Sequence, residues 1–206
     1  MAYKKLKRGL IGALVIGASS AAFAADDKPK TMTGASADML AVTCAGCHGT
    51  NGASAGPATP SIAGISAVYF EEVMLGFKDG SVKNTIMGRI AKGYSDDEIK
   101  AMGEYFSNKP FVVAKQDFDA DLAKKGAKLH DKYCEKCHAD GGTSAEDDSG
   151  ILMGQLTPYL QYTLADYKAG DREMTKKMKK KVNQLIKKEG DAGFEALFNY
   201  YAQGKQ

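Results

Sequence analysis

The pattern C-x-x-C-H occurs twice in this 206-residue chain, as Cys44-Ala45-Gly46-Cys47-His48 and as Cys134-Glu135-Lys136-Cys137-His138. The two segments take all four cysteines and two of the three histidines. The spacing has a physical meaning. Two thiols one helical turn apart reach the two vinyl groups of one porphyrin and form thioether bonds, and the adjacent imidazole then meets the iron. Three other uses of cysteine compete: a disulfide, a thiol redox pair and a zinc site. A disulfide needs no histidines. A Cys₂His₂ zinc site leaves the other cysteine pair unexplained. The motifs therefore predict two covalently attached haem c groups, one on Cys44, Cys47 and His48 and one on Cys134, Cys137 and His138.

The N-terminus fits an exported chain. Lys4, Lys5, Lys7 and Arg8 form a positive region, residues 9–24 are uncharged and largely apolar, and Ala22-Phe23-Ala24 is a small-residue cleavage signature. Residues 1–24 read as a secretory signal peptide. The apolar run is short for a transmembrane span, and no second run exists, so no membrane span is expected after cleavage. Removing these four of the 28 basic residues leaves 24 against 25 acidic ones, a net charge of about −1. Such a balance gives no reason to expect nucleic-acid binding. The mature protein is expected in a bacterial periplasm.

The repeat is wider than the motif. Cys44 and Cys134 stand 90 positions apart, and the same offset relates Gly52 to Gly142, Gly64 to Gly154, Tyr69 to Tyr159 and Gly80 to Gly170. One persistent offset means two copies of one domain. Residues 25–110 form the first and 111–206 the second, with a linker over 107–116 where Pro110 interrupts the helical pattern. Each copy reads as helical. Ser36 caps a first helix with Met39, Leu40 and Val42 available for packing. A longer helix before the second motif carries Leu122, Gly126, Leu129 and Tyr133 on one side. Ser95 and Glu98 form a capping box for a helix with Ile99, Met102 and Phe106 inward. Asp191 is expected to cap a closing helix with Phe194, Leu197, Phe198 and Tyr201 spaced i, i+3, i+4, i+7.

His48 and His138 are the proximal ligands, so each iron needs a distal one. The remaining histidine, His130, lies four residues before Cys134 on the same helix and reads as an ordinary surface residue. Methionine is then the natural distal ligand. Met87, seven residues after Gly80, is expected to ligate the first iron. Met178, eight after Gly170, is favoured over Met174 for the second, because it keeps an apolar residue seven positions on, Leu185 matching Tyr94. Met39, Met74, Met102 and Met153 are expected to pack. The carbonyl of Pro60 is placed to accept from His48, and a backbone carbonyl near Gly150 to do the same for the second histidine.

The two domains resemble soluble diheme class-I cytochromes c. The stretches NTIMGRIAKGYS at 84–95, GAKLHDKYCEKCH at 126–138 and TPYLQY at 157–162 are very similar to the cytochrome subunit of flavocytochrome c sulfide dehydrogenase. The resemblance implies an all-α fold of two tandem class-I cytochrome c domains, each wrapped around one covalent haem c. It implies His48 and Met87 on one iron, and His138 with Met178 or Met174 on the other. It implies a heterodimer with an FAD-containing subunit that oxidises sulfide, and a small cytochrome c as acceptor. This chain has no G-x-G-x-x-G after a strand, so FAD is expected only on the partner. An iron with both axial positions filled has no open site for substrate, which favours a carrier over a catalyst. Alternatives are a free-standing diheme carrier serving a terminal oxidase or reductase, and a diheme enzyme such as a peroxidase or thiosulfate dehydrogenase. Lys176, Lys177, Lys179, Lys180 and Lys181 surround Met178. They serve either to steer an acidic partner or only as a solvated helix face. Residues 145–148 read as a solvated acidic loop.

Overall fold

A computed structural model of the chain describes residues 34–145 and 148–204. The signal-peptide expectation for residues 1–24 lies outside the described residues, as do Glu146 and Asp147 of the acidic loop. Ten α-helical segments follow one another among the described residues, with a 3-10 turn at Thr50–Gly52: α1 Ala37–Val42, α2 Ala45–His48, α3 Ala67–Asp79, α4 Met87–Ala91, α5 Asp96–Ser107, α6 Ala120–Tyr133, α7 Ala139–Gly142, α8 Thr157–Ala169, α9 Lys176–Glu189 and α10 Asp191–Ala202. There is no strand among the described residues.

Local chemistry accounts for most boundaries. The Ser36 hydroxyl accepts from Met39 N and starts α1. Ser95 and Glu98 form the expected capping box, satisfying two orphan N–H groups of α5 reciprocally. α3 and α8 end alike, at Gly80 and Gly170, both in the left-handed region with φ of 84° and 82°. Only glycine adopts that conformation without a Cβ penalty, which is why the repeat keeps it. One expected cap fails. Asp191 is the first residue of α10 and makes no cap bond; its carboxylate pairs with Lys168 at 2.8 Å instead.

Two hydrophobic clusters form, one per half. Leu40, Phe70, Met74, Ile99, Met102 and Phe106 anchor the first. Leu129, Met153, Leu160, Leu185, Phe194, Leu197 and Tyr201 anchor the second. In the second half α6 and α10 pack so closely that a Cβ on Gly126 would lie 2.0 Å from the Ala196 carbonyl oxygen. Met74, Met102 and Met153 are buried as expected, but Met39 and Val42 are not: they are 64% and 68% exposed. α1 is one and a half turns long, and Leu40 and Ala41 alone fill its inward face.

The repeat is visible in the backbone. Gly52 O accepts from Ile62 N and Ala63 N, and Gly142 O accepts from Leu152 N and Met153 N. Gly64 N donates to Phe106 O, and Gly154 N to Tyr201 O, each at 2.8 Å. The halves also meet directly. Ser61 and Gln155, both buried, exchange two hydrogen bonds of 3.0 and 2.9 Å, and Ile151 of the second half enters the first cluster. Lys83 reaches across to Asp171 at 2.6 Å and Asp166 at 3.3 Å.

Candidate haem sites

Each motif is a tight turn. Cys47 N and His48 N both donate to Cys44 O, and Cys137 N and His138 N both donate to Cys134 O. The two cysteines and the histidine of each motif are thus held together by their own backbone. All four cysteines are free thiols. Burial raises the thiol pKa of Cys44, with the Thr43 hydroxyl opposing. Burial likewise raises that of Cys134, against a hydrogen bond from Tyr201.

The histidines are oriented identically. His48 Nδ1 lies 2.8 Å from Pro60 O and His138 Nδ1 lies 3.0 Å from Gly150 O. A carbonyl only accepts, so Nδ1 donates in both and the neutral ring keeps its lone pair on Nε2. That is the tautomer a metal needs. His48 is buried, and that burial lowers its pKa, with the Pro60 bond opposing. Both carbonyl acceptors sit where the sequence placed them, and the lost proline at 150 costs no hydrogen bond.

The candidate distal ligands differ. Met87 opens α4 and packs against the first cluster, as Cys44 also does. Met178 lies in the first turn of α9, its N–H bonded to Thr175 Oγ1, and is half-buried. Met174 is half-buried in the loop just before. Three positions past Met178, Lys181 donates to Lys132 O, and Leu185 is buried in the second core.

His130 is not a surface residue. Its ring is fully buried. Nε2 lies 2.7 Å from Glu135 Oε2 and Nδ1 2.9 Å from the Tyr201 hydroxyl. Glu135 also accepts from Asp140 N and Gly141 N. Tyr201 in turn hydrogen-bonds Cys134. Remoteness from an iron does not make a residue exposed; its repeat partner is the better guide to burial. At the 90-residue offset His130 falls on Leu40, itself buried. That offset is the signal that marks it as a core position.

No protein-family model matches the chain. The cytochrome subunit of sulfide dehydrogenase from Chlorobaculum tepidum is 44% identical over 85 residues, covering 41% of this chain and 76% of that protein. A thiosulfate dehydrogenase electron acceptor from Stutzerimonas stutzeri is 31% identical over 180 residues, covering 82% and 83%. The reduced recombinant cytochrome c4 of Pseudomonas stutzeri superposes with a TM-score of 0.69 at 26% identity, over 84% of this chain and 100% of that one. The chain belongs to the diheme class-I cytochromes c. The cytochrome therefore carries two covalent haem c groups. Its residues suit them: free thiols in pairs and imidazoles already fixed in the ligating tautomer. A lone metal ion has no such fit, since no group of three or more His, Cys, Asp or Glu converges among the described residues. Nor is any described helix long and apolar enough to cross a membrane.

Proposed function

We propose that this cytochrome is the periplasmic electron-transfer subunit of a sulfide dehydrogenase, paired with an FAD-bearing subunit and delivering electrons to a small cytochrome c. The observation that carries the reading is the 44% identity to a sulfide dehydrogenase cytochrome subunit. Cys44 and Cys47 hold one haem and Cys134 and Cys137 the other. His48 with Met87, and His138 with Met178, would hold the two irons. A bound haem supplies a one-electron iron couple, and a methionine ligand raises its potential. The chain's own part is to fix the imidazoles through Pro60 O and Gly150 O and to keep water away with two apolar clusters. An iron held by two side chains would offer no site to a substrate, so the chemistry on sulfide belongs to the partner.

A second reading is favoured by the longer match. The thiosulfate dehydrogenase electron acceptor aligns over both halves of the chain. In that reading the cytochrome is a carrier fed by a separate thiosulfate-oxidising enzyme. Purification of the native protein, with flavin and haem quantified, separates the two. One flavin per two haems, and reduction of the haems by sulfide, supports the first. A flavin-free cytochrome reduced only with a thiosulfate-oxidising enzyme present defeats it and supports the second.

A further inference from the structure

His130 is the one histidine outside the two motifs. It is fully buried, four residues before Cys134, whose N–H donates to His130 O at 2.7 Å. The first half has nothing like it. Leu40, Ala45 and Phe106 carry no polar side-chain atom where His130, Glu135 and Tyr201 do. The fold therefore needs no polar group at this place, and a buried polar trio beside a haem attachment point calls for another use.

Few groups face the His130 ring. Glu135 comes from the motif, Tyr200 and Tyr201 from α10, and Gly142 closes the α7 side without a side chain. Lys181 of α9 and Asp131 of α6 act on the neighbours Cys134 and Tyr200. Among the described residues Glu135 is the only carboxylate within ion-pair distance of the ring, and its own side chain is 40% exposed.

The hydrogen bonds fix where the protons are. A carboxylate only accepts, so Nε2 carries a proton and donates to Glu135 at 2.7 Å. Nδ1 faces the Tyr201 hydroxyl at 2.9 Å, a group that both donates and accepts. Burial pushes the Tyr201 phenol well above its ordinary range, so the hydroxyl keeps its single proton. With a neutral ring, that proton is given to Nδ1. With a charged ring, Nδ1–H donates to the hydroxyl oxygen, and the hydroxyl proton is free for its other neighbour, Cys134. Cys134 packs against the cluster that holds Tyr201, and its sulfur is an acceptor only once the haem is attached. The trio can thus change charge without orphaning a donor.

We propose that His130 binds a proton in step with reduction of the second haem, and that Tyr201 is the positioning residue that passes its charge state to the Cys134 thioether. The step balances as one electron to the iron and one proton from solvent to His130 Nδ1, past the exposed edge of Glu135. A cation beside the haem and a hydrogen bond to the thioether both favour reduced iron. By linkage, reduced iron raises the affinity of His130 for the proton by the same factor. The inference rests on the two covalent haems and on no choice of electron donor.

The test uses the holoprotein with both haems. Haem content and the methionine-to-iron charge-transfer band are recorded first, so that failure of attachment or ligation is seen separately. Midpoints are then followed against pH by spectroelectrochemistry. In the wild type one haem should fall in midpoint as pH rises through the titration of His130, with a limiting slope of about tenfold per pH unit, ~59 mV for one electron. H130L/Y201F gives the second half the apolar pair of the first and should remove that step with both haems in place. Y201F should keep a smaller step, because the charge remains and the thioether contact is lost. In NMR spectra the His130 ring should titrate at a higher pH in the reduced protein than in the oxidised one. An H130L/Y201F protein with intact haems and the wild-type pH profile overturns the proposal, because another group then binds the proton. If the double variant fails to assemble, a His130 ring that titrates alike in both redox states, or that never changes charge, does the same. A Y201F step equal to that of the wild type overturns the part given to Tyr201.

Discussion

The buried pair His130 and Tyr201 occupies the place that Leu40 and Phe106 occupy in the first half. Leu40 and His130 share the repeat offset. Phe106 O and Tyr201 O accept from equivalent glycines, and the two rings lie against the equivalent glycines Gly52 and Gly142. The first half thus supplies a natural apolar replacement, and H130L/Y201F transplants it. In H130L the Tyr201 hydroxyl loses its imidazole acceptor inside the core, and Cys134, a thioether in the holoprotein, is only a weak acceptor in its place, so the change costs about 1–3 kcal/mol. Glu135 loses a bond too, but it is 40% exposed and keeps the N–H groups of Asp140 and Gly141, so water replaces most of that loss. In Y201F the Nδ1 acceptor is orphaned at a similar cost of about 1–3 kcal/mol. The double variant orphans neither atom and exchanges groups of similar volume, so it should cost less than about 1.5 kcal/mol. The expected coupling is about 1–3 kcal/mol, well above the ~0.5 kcal/mol scatter of independent sites. Guanidinium unfolding of the four holoproteins, followed by far-UV circular dichroism, gives these values as midpoint changes at constant slope. Costs that add to within that scatter would refute a shared buried hydrogen bond.

Other outcomes follow from single positions. Gly126→Ala forces a Cβ into the Ala196 carbonyl, a backbone atom that cannot rotate away, and should cost at least about 1–3 kcal/mol; Gly46→Ala, with nothing within 4 Å, should be neutral or slightly stabilising by thermal melting. Burial pushes the Glu135 carboxyl up, but its hydrogen bonds to His130 and to the Gly141 and Asp140 amides outweigh this and hold its pKa below the ordinary 4.5. A carboxyl depressed on folding stabilises above its unfolded pKa, and that contribution fades as pH falls through the lower folded value. Wild-type stability should therefore drop below about pH 4.5 more steeply than that of Glu135→Gln, as read from melting temperatures across pH. Met178→Ala should remove the methionine-to-iron band of one haem and lower its midpoint, while Met174→Ala leaves both unchanged; the reverse pattern would exchange their roles. Lys177→Glu with Lys181→Glu should slow electron transfer to an acidic acceptor at low salt by about tenfold and flatten its ionic-strength dependence; stopped-flow rates identical to wild type would reduce the lysines to a solvated face.

What the sequence revealed was set by short-range rules. The motif turns, the capping box and the carbonyls facing both histidines all depend on residues within about a dozen positions, and all appear as read. The errors arise where distant segments decide. Met39 and Val42 looked like core residues of α1, but only the depth of α5 behind that helix fixes how many of its side chains are covered. Asp191 had the right chemistry for a cap, yet Lys168, 23 residues earlier, claims its carboxylate. His130 meets Tyr201 71 positions away, and Arg172 meets Tyr69 103 positions away. No local pattern encodes such pairs. The repeat does encode the burial of His130, because a position buried in one copy is buried in the other.

The duplication keeps the frame and changes what lines it. Equivalent glycines, carbonyl acceptors and closing-helix bonds recur in both halves, so the two histidines are presented in the same way. Several substitutions between halves make the second more polar, although buried Ser61 becomes Ile151 in the opposite sense. Leu40 becomes His130, Phe106 becomes Tyr201, Ala45 becomes Glu135 and Val82 becomes Arg172, each adding a polar or charged group in the second half. At the rim the exposed apolar residues Val42, Ile86 and Ile90 are replaced by Lys132, Lys177 and Lys181. Hydrogen bonds, charge and solvent exposure around a haem are the levers by which a protein sets its potential. One duplicated scaffold thereby places its two haem motifs in unequal surroundings, the second the more polar and the more positively charged at its rim.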